Sequence, residues 1–263
     1  MDIIINYKMN DNSGIRNQIK ILDSHTAYFL KDCSNIELAA VFSQNKNNFE
    51  IFEKLLLAKC NEKELITKLL FFIIRYVDRT ASIDAIKLII KCGADINSQK
   101  YDTLTFIMLC CYYLKNNIEI LELLIENGAD VNIKNKTGKT TLMYNLQNVE
   151  YDKDLEIFKL LIRKDNQINS KDDNGETPLT LYVTCNRVKI RYDITLLLLD
   201  NKSDIYIKNN EGKNVLNIIK DEIIDDCRLK KNLYDIYSLI FNYKNLHNDH
   251  LCEFDINFIY KYF

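Results

Sequence analysis

The chain has 263 residues, 47% hydrophobic and 27% charged, a balance that excludes extensive disorder. Its formal net charge of −2 excludes a global electrostatic pull toward nucleic acid or an acidic membrane. Six glycines and one proline are too few turn signals for a β-sandwich or barrel, so helices joined by short loops are expected.

Residues 1–34 carry no repeat, but Ile15, Ile19 and Leu22 share one face of an expected helix over 15–30, which would cap the first helix pair. Thereafter the chain repeats. Four tetrapeptides recur: Ala94-Asp95-Ile96-Asn97, Ala129-Asp130-Val131-Asn132, Asn166-Gln167-Ile168-Asn169 and Ser203-Asp204-Ile205-Tyr206, spaced 35, 37 and 37 residues apart. Each follows an apolar helical run, at 85–90, 118–125, 155–162 and 194–199. Six residues beyond three of them stand Gly138, Gly175 and Gly212, and two further on Thr140, Thr177 and Asn214. Units are expected near 35–61, 62–97, 98–132, 133–169, 170–206 and 207–242, the first and last degenerate. Two final helical stretches, 215–224 and 229–243, precede an aromatic tail or cap over 243–263. Lys220-Asp221-Glu222 should interrupt the first of these, turning a polar face to solvent.

The landmarks have separate physical uses. The polar stretch between tetrapeptide and glycine is a turn, for which glycine supplies a positive φ. Thr140 and Thr177 can cap the next helix through their hydroxyls, and Pro178 then sits where a missing N–H costs nothing. Residues 142–146 and 179–183 would form short inner helices, backed by the longer leucine-rich ones. One pair is too small to bury its own apolar face, so neighbours must stack.

Asp172-Asp173-Asn174-Gly175-Glu176-Thr177-Pro178-Leu179 resembles the D-x-x-G-x-T-P-L opening of an ankyrin repeat. Residues 119–132, from Glu119 to Asn132, resemble its second helix and closing hairpin. The resemblance covers about residues 35–242 and implies an all-α ankyrin-repeat solenoid with short hairpin-like connections. There are departures. Met143 and Thr180 replace the usual histidine, and Asp102-Thr103-Leu104-Thr105 lacks the turn glycine. The helix-to-helix stretch is long: 21 residues from Ile107 to Gly128 and 23 from Leu142 to Asp165 and from Leu179 to Lys202, against about 19 in the common pattern. Stretched repeats of this kind resemble ankyrin proteins of large DNA viruses, both poxviruses and giant viruses of amoebae, and of intracellular pathogens.

No catalytic constellation is visible. Phosphate loops, Ser/His/Asp orders and H-E-x-x-H are missing, and the three histidines lie near the termini, so no enzyme activity and no cofactor are expected. His247, His250 and Cys252 form an H-x-x-H-x-C without an evident fourth ligand, so no metal is expected. Eight cysteines without a CxxC, several inside apolar runs, point to reduced, mostly buried thiols, Cys110 and Cys111 among them. The N-terminus shows no signal peptide, and the longest apolar run, 69–74, is too short for a membrane span. A cytoplasmic location is therefore expected, in the host if the source is a virus or pathogen. The alternating 187–191 stretch reads as a solvated loop, and the finger lysines 134, 136, 139, 171 and 208 are offset by acidic neighbours.

The resemblance implies a protein partner, held by the hairpin tips and the open side of the inner helices; charge and apolar-run length give no expectation of nucleic acid or a membrane. By motif position the binding residues are Gln99, Tyr101, Leu104, Tyr112 and Tyr113, then Lys136, Thr137, Lys139, Gln147 and Asn148. Lys171, Asp173, Asn174, Glu176 and Thr184 come next, then Asn210 and Glu211. The three tyrosines are the expected anchors. The partner implied is a host defence or signalling protein. The alternative is an adaptor whose tail recruits ubiquitin ligase or other machinery, although the usual Leu-Pro start of such a tail is missing.

Overall fold

Four side chains at near-constant spacing start the inner helices. In the computed structural model the Oγ1 of Thr105 accepts from the Met108 N–H at 3.4 Å, and that of Thr140 from Met143 at 3.4 Å. Thr177 and Thr180 cap reciprocally: the Thr180 N–H reaches Thr177 Oγ1 at 3.3 Å and the Thr177 N–H reaches Thr180 Oγ1 at 2.7 Å. Asn214 and Asn217 do the same at 3.0 and 3.2 Å. Each satisfies first-turn N–H groups that have no partner within the helix. The structure describes residues 46–74, 82–100, 103–113, 118–147, 154–164, 167–185, 190–225 and 235–240, with 34, 37, 40, 43, 44, 149, 233 and 243 singly.

The chain divides into two compact units, Met1–Lys100 with Thr105–Ala129, and Tyr101–Leu104 with Asp130–Phe263. The first holds α1 (Lys46–Ala58), α2 (Lys63–Ile73), α3 (Ile83–Lys91), α4 (Phe106–Tyr113) and α5 (Ile118–Glu126). A two-strand ribbon pairs β1 (Gln99–Lys100) with β2 (Leu104–Thr105). The second unit holds α6 (Thr141–Leu146), α7 (Asp154–Lys164), α8 (Pro178–Cys185), α9 (Tyr192–Asp200) and α10 (Val215–Asp225), and residues 235–240 are helical. The fold class is all-α.

Two kinds of helix arise from two hydrophobic patterns. The outer helices bury one stripe: Ala85, Ile86 and Ile89 on α3, Ile120, Leu121 and Leu124 on α5, and Ile194, Thr195, Leu198 and Leu199 on α9. The inner helices are apolar nearly all round. Phe106 to Cys111 on α4 and Pro178 to Val183 on α8 are buried without a break, and on α8 the helices α6 and α10 cover the two flanks. In the first unit α1 packs on α3, α2 on α3 and α4 on α5, and Phe71 meets Phe106 edge-on at 5.6 Å. In the second, α6, α8 and α10 form the inner layer and α7 with α9 the outer one, with α6 packed on α7.

Outer helices end in a left-handed residue. Gly93 at φ 89° lets its N–H reach Ile90 O at 2.9 Å while that of Ala94 reaches Ile89 O at 3.3 Å, and Gly128 at φ 93° repeats the turn. At the end of α9 the same position is Lys202, held at φ 68° with the same pair of bonds to Leu199 and Leu198. Thr103 likewise occupies a glycine place, 35 residues before Gly138, and keeps the positive φ at 64°. The missing glycine therefore altered the side chain and not the turn. A β-branched residue in that region is strained. Lys202→Gly and Thr103→Gly should each stabilise the chain by about 1 kcal/mol, read as a raised midpoint in urea unfolding.

Two expectations need correction. Lys220-Asp221-Glu222 does not interrupt its helix: α10 runs through to Asp225, and Lys220 is only 4% exposed. Helical periodicity places it on the stripe of Leu216 and Ile219, so its stem packs there while the ammonium sits 5.7 Å from the centre of the Tyr237 ring. The polar face belongs to Asp221, 2.9 Å from Lys213. Among the described residues the thiols are also less buried than expected. Cys110 and Cys111 are core residues, and burial chiefly, then Cys111, pushes the Cys110 thiol well above its ordinary range. Cys60 and Cys185 are exposed and Cys92 half-buried. The expected 15–30 cap helix, Cys33, Cys227 and the 244–263 tail with its H-x-x-H-x-C lie outside the described residues.

Candidate functional site

Three fingers in the second unit share one construction. In each, an Asx side chain folds its own loop: Asn135 Oδ1 accepts from the N–H groups of Thr137 and Lys139, both at 3.0 Å. Asp172 Oδ1 accepts from Asn174 and Glu176, both at 2.9 Å, and Asn209 Oδ1 from Glu211 and Lys213, both at 3.0 Å. The backbone closes each loop between residues 135 and 139, 172 and 176, and 209 and 213. Gly138, Gly175 and Gly212 take φ of 74°, 76° and 78°, as the turn requires.

The fingers then hold one another. The Asp173 N–H donates to Thr137 O at 3.2 Å, and that of Asn210 to Asn174 O at 3.0 Å. Lys134 Nζ reaches Lys171 O at 2.7 Å and Lys171 Nζ reaches Lys208 O at 2.7 Å. Asn210 Nδ2 donates to Asp173 O and Asn209 Nδ2 to Glu176 Oε1. Behind the fingers Asn169 ties two hairpins, donating to Lys202 O and accepting from the Asp204 N–H. Cations on Lys134 and Lys171 are thus engaged by backbone carbonyls, which fixes the two ammonium groups between fingers without neutralising their charge.

The predicted binding residues divide by what they touch. Lys136, Thr137, Asp173, Asn174, Asn210 and Glu211 are exposed on the finger tips. Lys171, also exposed, has its ammonium on the next finger, and half-buried Glu176 accepts from Asn209. Lys139 is half-buried. On the inner-helix side Gln147 Nε2 donates to Cys185 Sγ at 3.8 Å, and Thr184 Oγ1 to Leu181 O at 3.0 Å. In the first unit Gln99 is exposed, and Tyr112 and Tyr113 close α4 with 45% and 41% exposure, their rings edge-on at 5.1 Å. Leu104 is half-buried. Tyr101 and Asn148 lie outside the described residues, as do residues 187–189 of the basic stretch. Arg191 is a clasp: its guanidinium pairs with Asp193 at 2.6 Å, and its N–H donates to the Tyr182 hydroxyl at 2.7 Å. That guanidinium holds the Asp193 carboxyl below the usual carboxylate range.

Sequence reasoning noted Lys134, Asp172 and Lys208 but did not read them, with Asn135 and Asn209, as the residues that assemble the fingers. Their signal was a Lys-Asx pair at 134–135, 171–172 and 208–209. Exposed Cys185 beside Thr184 was also missed. Among the described residues no group of three or more His, Cys, Asp or Glu is placed to hold a metal, and no helix is long and apolar enough to cross a membrane.

Stacked helix pairs carrying a ladder of Asx-turn fingers define a repeat protein of the scaffold class. A family profile of ankyrin repeats (three copies) matches residues 36–135 and again 73–172, together more than half of the sequence. The chain belongs to the ankyrin-repeat family, whose members generally mediate protein–protein interaction and are typically not enzymes. A search of curated proteins found no match.

Proposed function

We propose that this chain binds a protein partner through its finger tips and the open ends of its inner helices, and performs no catalysis. The observation that carries the reading is the Tyr112–Tyr113 pair. α4 is buried from Phe106 to Cys111, yet ends in two adjacent half-exposed aromatic rings. Tyrosines offer large contact area and a hydroxyl at low entropic cost, the composition of interface hot spots. The second unit's polar tips at Lys136, Thr137, Asp173, Asn174, Asn210 and Glu211 offer adaptable polar contacts of their own.

The partner class is a host defence or signalling protein, and the setting is the cytoplasm of a cell occupied by a virus or intracellular pathogen. The stretched helix-to-helix segments, which resemble those of viral ankyrin proteins, support this. Immobilised chain should capture one host protein in stoichiometric amount. The Tyr112→Ala/Tyr113→Ala variant should weaken that complex about thirtyfold, the loss of about 2 kcal/mol expected of a hot spot, with helical content unchanged by circular dichroism. A folded variant that captures the same protein equally well refutes the tyrosine pair as the anchor.

A further inference from the structure

Each finger of the second unit has two unlike sides. Toward the following finger it presents a backbone carbonyl, a lysine ammonium and a glycine slot. Toward the preceding one it presents an N–H and a carbonyl. The second finger seats on the first, and the third on the second, through the same set: Asp173 and Asn210 N–H to Thr137 O and Asn174 O, and Lys134 and Lys171 Nζ to Lys171 O and Lys208 O. The glycine slots are filled accordingly. A Cβ on Gly138 would lie 2.7 Å from Asp173 N, and one on Gly175 2.8 Å from Asn210 N.

On the third finger the same groups recur with no occupant among the described residues. The equivalents are Glu211 O, Lys208 Nζ and Gly212. All three residues are exposed, and a Cβ on Gly212 meets nothing within 4 Å among the described residues. Neither the Glu211 carbonyl nor Lys208 Nζ has a hydrogen-bond partner among them. This is an unpaired edge of the kind that accepts an added strand or loop through main-chain bonds.

We propose that this outer edge of residues 208–213 docks an Asx-turn loop of a second protein, one shaped like the finger it continues. The edge shares Asn210 and Glu211 with the tips assigned above, but engages the backbone carbonyl of Glu211 and the Lys208 ammonium rather than the tip side chains. What fits is set by the two internal interfaces: a backbone N–H for Glu211 O, a carbonyl for the Lys208 ammonium, and an Asn or Asp residue seated over Gly212.

The probe is a cyclic peptide copying residues 207–214, titrated into the full-length isotope-labelled chain. Saturable shifts should appear at the amides of Glu211, Gly212 and Lys213. N-methylating the peptide residue that copies Asn210, or making Lys208→Met in the chain, should each weaken binding about tenfold. Lys208→Met keeps the carbonyl that Lys171 uses, so unfolding should be unchanged. Absence of saturable shifts, or binding that survives both changes, overturns the proposal. Shifts that grow with chain concentration before peptide is added would assign the edge to a second copy of this chain, and would overturn it equally.

Discussion

Gly138→Ala and Gly175→Ala should each destabilise the second unit by about 3 kcal/mol, while Gly212→Ala should cost only about 1 kcal/mol. All three hold nearly the same left-handed φ, so the strain of placing a Cβ there is common to them. The difference is the neighbour. At Gly138 the new atom falls 2.7 Å from Asp173 N, and at Gly175 2.8 Å from Asn210 N, separations that backbone must yield to relieve. Those nitrogens donate to Thr137 O and Asn174 O, so yielding breaks the bond joining two fingers. The third glycine has no such neighbour among the described residues. Urea unfolding of the three variants checks this, and equal losses at all three sites would mean that the fingers do not support one another.

Raising the pH from 10 to 12 should remove about 2 kcal/mol of stability through Tyr182 alone. Its side chain is fully buried, and burial pushes the phenol up to about 12, opposed in part by the Arg191 N–H bond and reinforced by the Asp193 carboxylate. The folded state therefore keeps its proton where the unfolded chain releases it near pH 10. The stabilisation is complete below pH 10 and is lost as pH rises toward 12. Tyr182→Phe should lack this alkaline loss while costing about 1–2 kcal/mol at neutral pH, since the Arg191 N–H then loses its 2.7 Å acceptor. Unfolding titrations of both proteins at pH 8, 10 and 12 separate the two effects. Parallel pH profiles would show that the hydroxyl ionises without penalty.

Much of the scaffold was legible in the sequence because its landmarks act locally. A cap such as Thr140 or Thr177 works within its own first turn, and a positive φ at Gly175 belongs to one loop. Pro178 opens α8 for the same reason. Reading failed where a residue answers to something distant in sequence. Lys220 looked like a solvated charge within its run, and only Tyr237 and the buried stripe of α10 explain its burial. Arg191 looked like one of a basic series, whereas its roles depend on Tyr182 and Asp193.

The candidate site divides along the same line. Exposure of Tyr112 and Tyr113 follows from their place at the end of an apolar helix, and the sequence by itself determined that place, together with the repeat spacing and the fold class. Only the tertiary structure decided which finger residues are spoken for. Lys171, Asp173, Asn174 and Glu176 read as one polar stretch, but hydrogen bonds between fingers 37 residues apart engage the Lys171 ammonium, the Glu176 carboxylate and the backbone of Asp173 and Asn174. A one-dimensional pattern specifies each loop because its forces are short-ranged. Which groups remain for a partner depends on what the next loop has already taken.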